Sequence, residues 1–381
     1  MSIKLYEENN VQNIASAIRE KNGLTTEYKI SEMAQAIIDL PVWDGIELVT
    51  DAQRRAMSTL SCSYTDIGNY AFAFCPSLTT ASFPDCTFVG DYAFYSCSSL
   101  ASVNFPVCTA IGQSAFYRCA RLATISFPEC TLINSNAFCL CSSYLTSASF
   151  PKVTEIGVYA FNGCSRLNTT YFPKCATIRD SAFASCYGLA DVNFPECTTI
   201  GQSAFWSCRA LSSISFPKCT TIGQYAFAYC SSLTSVYFPL CTSVTSGFYR
   251  CVNLTSADLP KCTYVGNGVF AGCSNVSIVN IPECQILGDL AFNSCISLQT
   301  MSIPKCSSIG KSAFYYCNNL SQLYIGTSNC TLANTAAFNS TPFSRSTYLG
   351  YFGSIYVPLE YLSWYQSATN WATYSSRLVG Y

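Results

Sequence analysis

Apolar side chains recur along most of this chain with a fixed period. A phenylalanine stands at Phe72, Phe94, Phe116, Phe138, Phe161, Phe183, Phe205, Phe227, Phe248, Phe270, Phe292 and Phe314, in steps of 21 to 23 residues. A cysteine follows each three residues later, among them Cys97, Cys119, Cys208 and Cys230. A second cysteine series runs from Cys86 to Cys306, each two residues after a proline, with Val153 in one unit; Cys330 ends it after Gly326 has replaced the proline. Self-similarity at this period signals stacked structural units, each unable to bury its own apolar side.

Within one unit, Leu233-Thr-Ser-Val-Tyr-Phe238-Pro-Leu-Cys241-Thr-Ser-Val244, the apolar positions read L-x-x-V-x-F-x-x-C-x-x-V. The alternation of Val236 and Phe238 predicts a short strand with one face inward. Pro239 ends it, because proline has no N–H to donate. The second half, Ile-Gly-x-x-Ala-Phe-x-x-Cys, predicts a turn at the glycine and then a short helical or 3₁₀ segment with Ala, Phe and Cys inward. The match to the generic leucine-rich repeat consensus holds through the cysteine and then runs one residue longer.

Phe194-Pro-Glu-Cys-Thr-Thr-Ile-Gly-Gln-Ser-Ala-Phe205-Trp-Ser-Cys208 resembles the BspA-like branch of leucine-rich repeats, whose pattern is close to I-P-x-x-V/C-T-x-I-G-x-x-A-F-x-x-C. The resemblance covers about Ile67 to Cys330. It implies a leucine-rich-repeat solenoid, one short strand and one short turn segment per coil. The expected organisation is a helical module over 1–41, a lead-in coil over 42–60, about twelve repeats over 61–330 and a C-terminal cap over 331–381.

The two ends differ from the repeat. Asn10 can cap one helix and Ser31 a second that ends before Pro41. The segment Asn13 to Gly23, with Tyr28 to Ile37 after it, resembles a short N-terminal module of bacteriophage and prophage structural proteins. That resemblance implies attachment to a virion, as a tail-fibre, receptor-binding or decoration component made in the host cytoplasm. Its partners would be other virion proteins, held through residues 1–41, and a homotrimer through those helices is one form. The first ten residues carry acid and no apolar stretch, which predicts no secretory signal. At the other end, Tyr356, Tyr361, Trp364 and Trp371 are expected to close the open apolar end.

Composition narrows the chemistry. The 381 residues carry a net charge of -1, with 11% charged, which gives no global pull toward nucleic acid or anionic membrane. No apolar run approaches the ~20 residues of a membrane span. Histidine is absent and the 25 cysteines lack clustered metal-ligand spacing. These cysteines read as small buried packing groups whose S–H donates to backbone carbonyls, with no metal and no cofactor. No phosphate loop, nucleophile elbow or dinucleotide motif is present. Asp191 and Asp258, three coils or ~14 Å apart, are too distant for a glycosidase pair, so no enzyme is expected.

Two outer columns remain as candidate contact surfaces. Between the inward strand positions lie Ser82, Asn104, Ser126, Ser149, Tyr171, Asn193, Ser215, Tyr237, Asp258, Asn280, Ser302 and Tyr324. Such a neutral, hydroxyl-rich face suits a glycan of a host surface, and a host-surface protein is the other partner expected, with Tyr171, Asn193, Tyr237, Asp258 and Tyr324 as candidate contacts. On the turn side Trp206, Tyr229 and Tyr249 form a second aromatic set. Charges of mixed sign after each proline are expected to pair between coils. Three readings follow: a virion receptor-binding protein, a BspA-like adhesin on a cell, or an architectural spacer.

Overall fold

The computed structural model describes residues 56–344 and 352–381. The two helices expected over 1–41, and nearly all of the lead-in coil, lie outside the described residues. The described residues form a stack of coils, a leucine-rich-repeat solenoid in which every strand pairing is parallel.

Each coil holds two strands. The first is three residues long, such as Ser235–Tyr237, with the middle residue inward and its neighbours exposed. The second is the dipeptide before the glycine position, such as Ser243–Val244. Thirteen of these dipeptides, from Asp66–Ile67 to Thr331–Leu332, join into one continuous sheet. The first strands form shorter sheets of two to four members. The continuous ladder thus belongs to a strand that the repeat pattern did not predict.

The turn half also departs from expectation. It is a run of tight turns and not a helical segment. Tyr92 and Ser96 are left-handed, both at φ 58, and equivalent non-glycine residues recur in almost every coil. This alternation divides the backbone donors in two. Tyr92, Phe94 and Ser96 donate to Gln113, Ala115 and Tyr117 of the next coil at 2.7 to 2.8 Å. Ala93, Tyr95 and Cys97 close turns within their own coil. A helix would aim its N–H groups along its own axis, and none at every second residue toward the neighbouring coil. Each left-handed side chain costs about 1–2 kcal/mol, offset here by a bond between coils.

The glycine is needed for closeness. Gly223 has no left-handed φ, but a Cβ there would lie 2.4 Å from the carbonyl carbon of Gly201 in the preceding coil.

Two aromatic columns fill the interior. On the turn side an unbroken stack of phenylalanines runs from Phe72 to Phe338, with adjacent centroids 5.2 to 5.7 Å apart. On the strand side phenylalanines stack from Phe83 to Phe238, and then Leu259, Ile281, Ile303 and Ile325 take their place. The last two of these β-branched residues lie inside four-residue strands, Thr300–Ile303 and Gln322–Ile325.

The cysteines pack between these columns, and all that are described are free thiols. On the turn side Cys97, Cys119, Cys208 and Cys230 donate to the carbonyls of Phe72, Phe94, Phe183 and Phe205 in the coil before. On the proline side each thiol donates two residues ahead, as Cys219 does to Thr221 at 3.4 Å.

The C-terminal end is closed by different aromatics than expected. Trp371 is buried, but Trp364 is 39% exposed and Tyr356 and Tyr361 are only half-buried. The closing residues are Tyr365, Trp371 and Tyr374, and their polar tips decide the matter. Trp371 Nε1 donates to the Cys330 carbonyl at 2.7 Å, Tyr365 Oη to that of Thr327 at 2.8 Å, and Tyr374 Oη to that of Thr335. Each ring covers the last coil while satisfying a carbonyl that no further coil can reach.

Candidate functional surface

The strand face carries the column read from the alternation. Tyr171 and Tyr237 are each 57% exposed, and Asn193 is also exposed. They do not converge. Parallel pairing in register sets Tyr171 three coils from Tyr237, ~14 Å at one strand spacing per coil. Polar residues along this face are tied to each other: Ser213 donates to Asp191 at 2.6 Å between the two tyrosines, and Asn280 to Asp258 at 2.7 Å beyond Tyr237. Tyr324 belongs to the cap end, stacked on Tyr356 at 4.4 Å with Tyr381 at its edge. The carboxylates of Asp191 and Asp258 therefore support the sheet, each held by a neighbouring strand.

The turn face brings its candidates together. Trp206 meets Tyr229 edge-to-face at 5.8 Å, and Tyr229 meets Tyr249 at 5.6 Å. Tyr225 adds a further edge contact to Tyr249. These residues stand in three consecutive coils. Trp206 and Tyr249 occupy the first position after the core phenylalanine, Tyr229 the second. The second position is left-handed in Tyr229 and Arg250, which turns the side chain out along the surface. Arg250 covers the cluster, its guanidinium 5.7 Å from the Tyr249 centroid and 6.0 Å from that of Tyr229. Trp206 and Tyr229 keep 37% exposure each. The result is a continuous aromatic patch with a cation on it.

A similar arrangement stands nearer the N-terminus. Tyr95 and Tyr117 stack face to face at 4.9 Å, Phe74 packs on the edge of Tyr95, and Arg118 lies 5.4 Å from the Tyr117 centroid. The pairing of arginine with aromatic residues was not read from the sequence. Its signal was present: in both places an arginine directly follows the tyrosine.

The interior offers no chemistry to this surface. Burial pushes the thiols up, to about 11 at Cys86 and about 12 at Cys108 and Cys251, and further at Cys230. They stay protonated and unreactive near neutral pH. Among the described residues no group of three or more Cys, Asp or Glu side chains is placed to hold a metal ion, and no helix is long and apolar enough to cross a membrane. The ridge after each proline carries ion pairs between coils, Lys218 with Glu196 at 2.8 Å and Lys305 with Glu283 at 2.7 Å. Arg179 with Glu155 forms another, beside the glycine column.

Comparison with known proteins agrees with this architecture. The pattern described as the BspA type leucine rich repeat region matches residues 65–190, 131–246 and 243–356. A leucine-rich repeat protein from Bacteroides ovatus ATCC 8483 is similar in structure, with a TM-score of 0.55 and 24% identity, over 79% of this chain and 84% of that one. A leucine rich cell surface protein from Faecalibacterium prausnitzii A2-165 gives a TM-score of 0.46 and 22% identity, over 84% of this chain and 91% of that one. No curated protein matched. The first of these likenesses shows the same fold.

Proposed function

The chain belongs to the BspA-type leucine-rich repeat family, and from that premise we propose that it is a non-enzymatic contact protein whose turn face grips a partner on another surface. The observation that carries this reading is the run of Trp206, Tyr229 and Tyr249 across consecutive coils, the first two exposed, the third half-buried, and the pair of tyrosines capped by Arg250. Exposed aromatics with arginine are what contact surfaces are enriched in. On the strand face Tyr171 and Tyr237 stand three coils apart, and the tyrosines that do meet, Tyr324, Tyr356 and Tyr381, lie at the cap end.

The setting we propose is a bacterial cell surface, as for the BspA-like adhesins that the repeat resembles. A purified chain labelled with a fluorophore, added to intact cells and to isolated envelope fractions, tests it. Binding should fall at least 10-fold in the Trp206→Ala, Tyr229→Ala, Tyr249→Ala triple variant and persist in Tyr171→Ala, Tyr237→Ala. Equal binding by the triple variant, or none by the wild type to any fraction, would overturn the reading.

A second setting rests on residues 13–37, which resemble the phage structural module. There the same solenoid would be carried by a virion. Immunogold label on purified particles, with none on cells free of prophage, would select that setting; label on the cell envelope would reject it.

A further inference from the structure

The arginines of the solenoid are sorted by side. Between each core phenylalanine and the next inward leucine or valine, the twelve segments from Phe72–Leu78 to Phe314–Leu320 contain five arginines, no lysine and no carboxylate. The five are Arg118, Arg121, Arg166, Arg209 and Arg250, and all are exposed. They occupy the coils of Phe116, Phe161, Phe205 and Phe248, which is every second coil. At ~4.8 Å per coil the step is about 9.6 Å, and the strip is about 29 Å long. The nearest acids on this face, Asp91, Asp180 and Asp289, each accept a backbone N–H from the following coil, those of Gln113, Gln202 and Lys311.

Aromatic rings line the same strip. Arg209 lies 5.0 Å from the centroid of Tyr187, which is 43% exposed, while Arg118 and Arg250 cover Tyr117 and the Tyr229–Tyr249 pair. A guanidinium stacked on a ring is held in place with its planar fork turned to the surface, where it can meet an anion; Arg209 is held further, its Nε donating to Ser207 Oγ at 3.3 Å. The strip therefore carries cations in alternate coils, two to five residues after the core phenylalanine, and sets three of them on ring surface.

We infer that this arginine strip binds an extended acidic polysaccharide, lying along the solenoid axis, in which sugars bearing a carboxylate alternate with neutral sugars. This rests on the turn face being the contact face. The advance per sugar in an extended pyranose chain is close to one coil, so a carboxylate on every second sugar falls in step with an arginine on every second coil. The neutral sugars between pack on Tyr187 and Tyr229 of the intervening coils, with Trp206 beside Arg209 in its own coil. A nucleic acid fits less well, because its phosphates recur every ~3.4 Å along a duplex strand, far more densely than these cations.

Hyaluronan, whose uronate sits on every second sugar, is the probe, measured by biolayer interferometry against the full chain. Four results are expected. The polymer binds. Its carboxyl methyl ester binds at least 10-fold more weakly. A hyaluronan disaccharide, whose single carboxylate can meet only one arginine, binds on the order of 100-fold more weakly than the polymer. The Arg209→Ala, Arg250→Ala variant loses at least 10-fold, while Arg209→Lys, Arg250→Lys recovers only part. The thermal midpoint of each variant, expected unchanged at these exposed sites, excludes misfolding as the cause. Equal binding of the methyl ester, tighter binding of an oligothymidylate, or no binding of hyaluronan would each overturn the inference. If hyaluronan fails while envelope binding still depends on Trp206, Tyr229 and Tyr249, the contact-face reading stands and only the ligand class falls. Loss of both removes both.

Discussion

The turn side and the strand side of this solenoid repeat equally often, yet they are built under different constraints. On the turn side each coil is tied to the next by several backbone donors, and the phenylalanine stack beneath continues from Phe72 to Phe338. On the strand side the sheet is broken into short pieces, and the stack gives way after Phe238 to leucine and isoleucine. Where the backbone is over-determined the interior is constant, and only side chains aimed outward are free to differ. The outward variation on the turn side is large and chemically pointed, with tryptophan, tyrosine and arginine. On the strand side most outward residues are small and polar, with Tyr171 and Tyr237 far apart among them. The side with more backbone ties between coils is thus the one that displays the aromatic patch.

Replacing one ring in each column tests this contrast most severely. Phe205→Ala should cost ~3–5 kcal/mol in urea unfolding, as a large buried ring leaves a cavity. Phe205→Leu should cost more than Phe216→Leu, which should stay under ~1.5 kcal/mol because that column already accepts Leu259 and Ile281. Equal costs would erase the distinction between the columns.

Next in size is the glycine contact. Gly223→Ala should destabilise by ~1–3 kcal/mol, since its Cβ meets the Gly201 backbone. Gly68→Ala, with nothing within 4 Å, should leave the unfolding midpoint nearly unmoved.

A smaller effect follows from the thiols. Burial raises the folded-state values above the ordinary 9.0, to about 11 at Cys86 and about 12 at Cys108 and Cys197. The folded state therefore holds protons that the unfolded state releases. The stability is fully present below pH 9 and is lost as the pH rises through 9 toward 12. Urea midpoints between pH 8 and 11 should be flat at first and then fall. Thiol labelling at the top of that range should begin at the proline-side Cys86 before it reaches Cys230, which is shifted further.

The smallest changes belong to the exposed surface. Lys218→Ala breaks a pair with Glu196 in which both side chains are half exposed, and it should shift stability by ~0–1 kcal/mol. Tyr237→Ser should stay within ~0.5 kcal/mol, and a larger loss would mean that the strand-face tyrosines support the sheet.

Much of this was legible in one dimension. The period of 21 to 23 residues determined the solenoid, and the alternation around Val236 and Phe238 determined which strand residues face in. A buried position in a stack meets its own copy in the next coil, so residue type and spacing suffice to identify it. The two cysteine columns follow for the same reason, and the lysine–glutamate pairs come from their place after the proline. Where a bond is made between coils by groups that every residue carries, residue type says little. The dipeptide strand at Thr221–Ile222 and the left-handed Tyr92 and Ser96 depend on backbone donors reaching the neighbouring coil. The closing role of Tyr365 and Tyr374, in place of Tyr356, Tyr361 and Trp364, depends on which hydroxyl reaches an open carbonyl of the last coil. The outer aromatic residues divide in the same way. That they lie outside the core follows from spacing alone, because they fall between the periodic positions. That Trp206, Tyr229 and Tyr249 meet while Tyr171 and Tyr237 do not was settled by the folded chain, because proximity on a solenoid is set by the number of coils between residues and the direction each backbone turn gives its side chain.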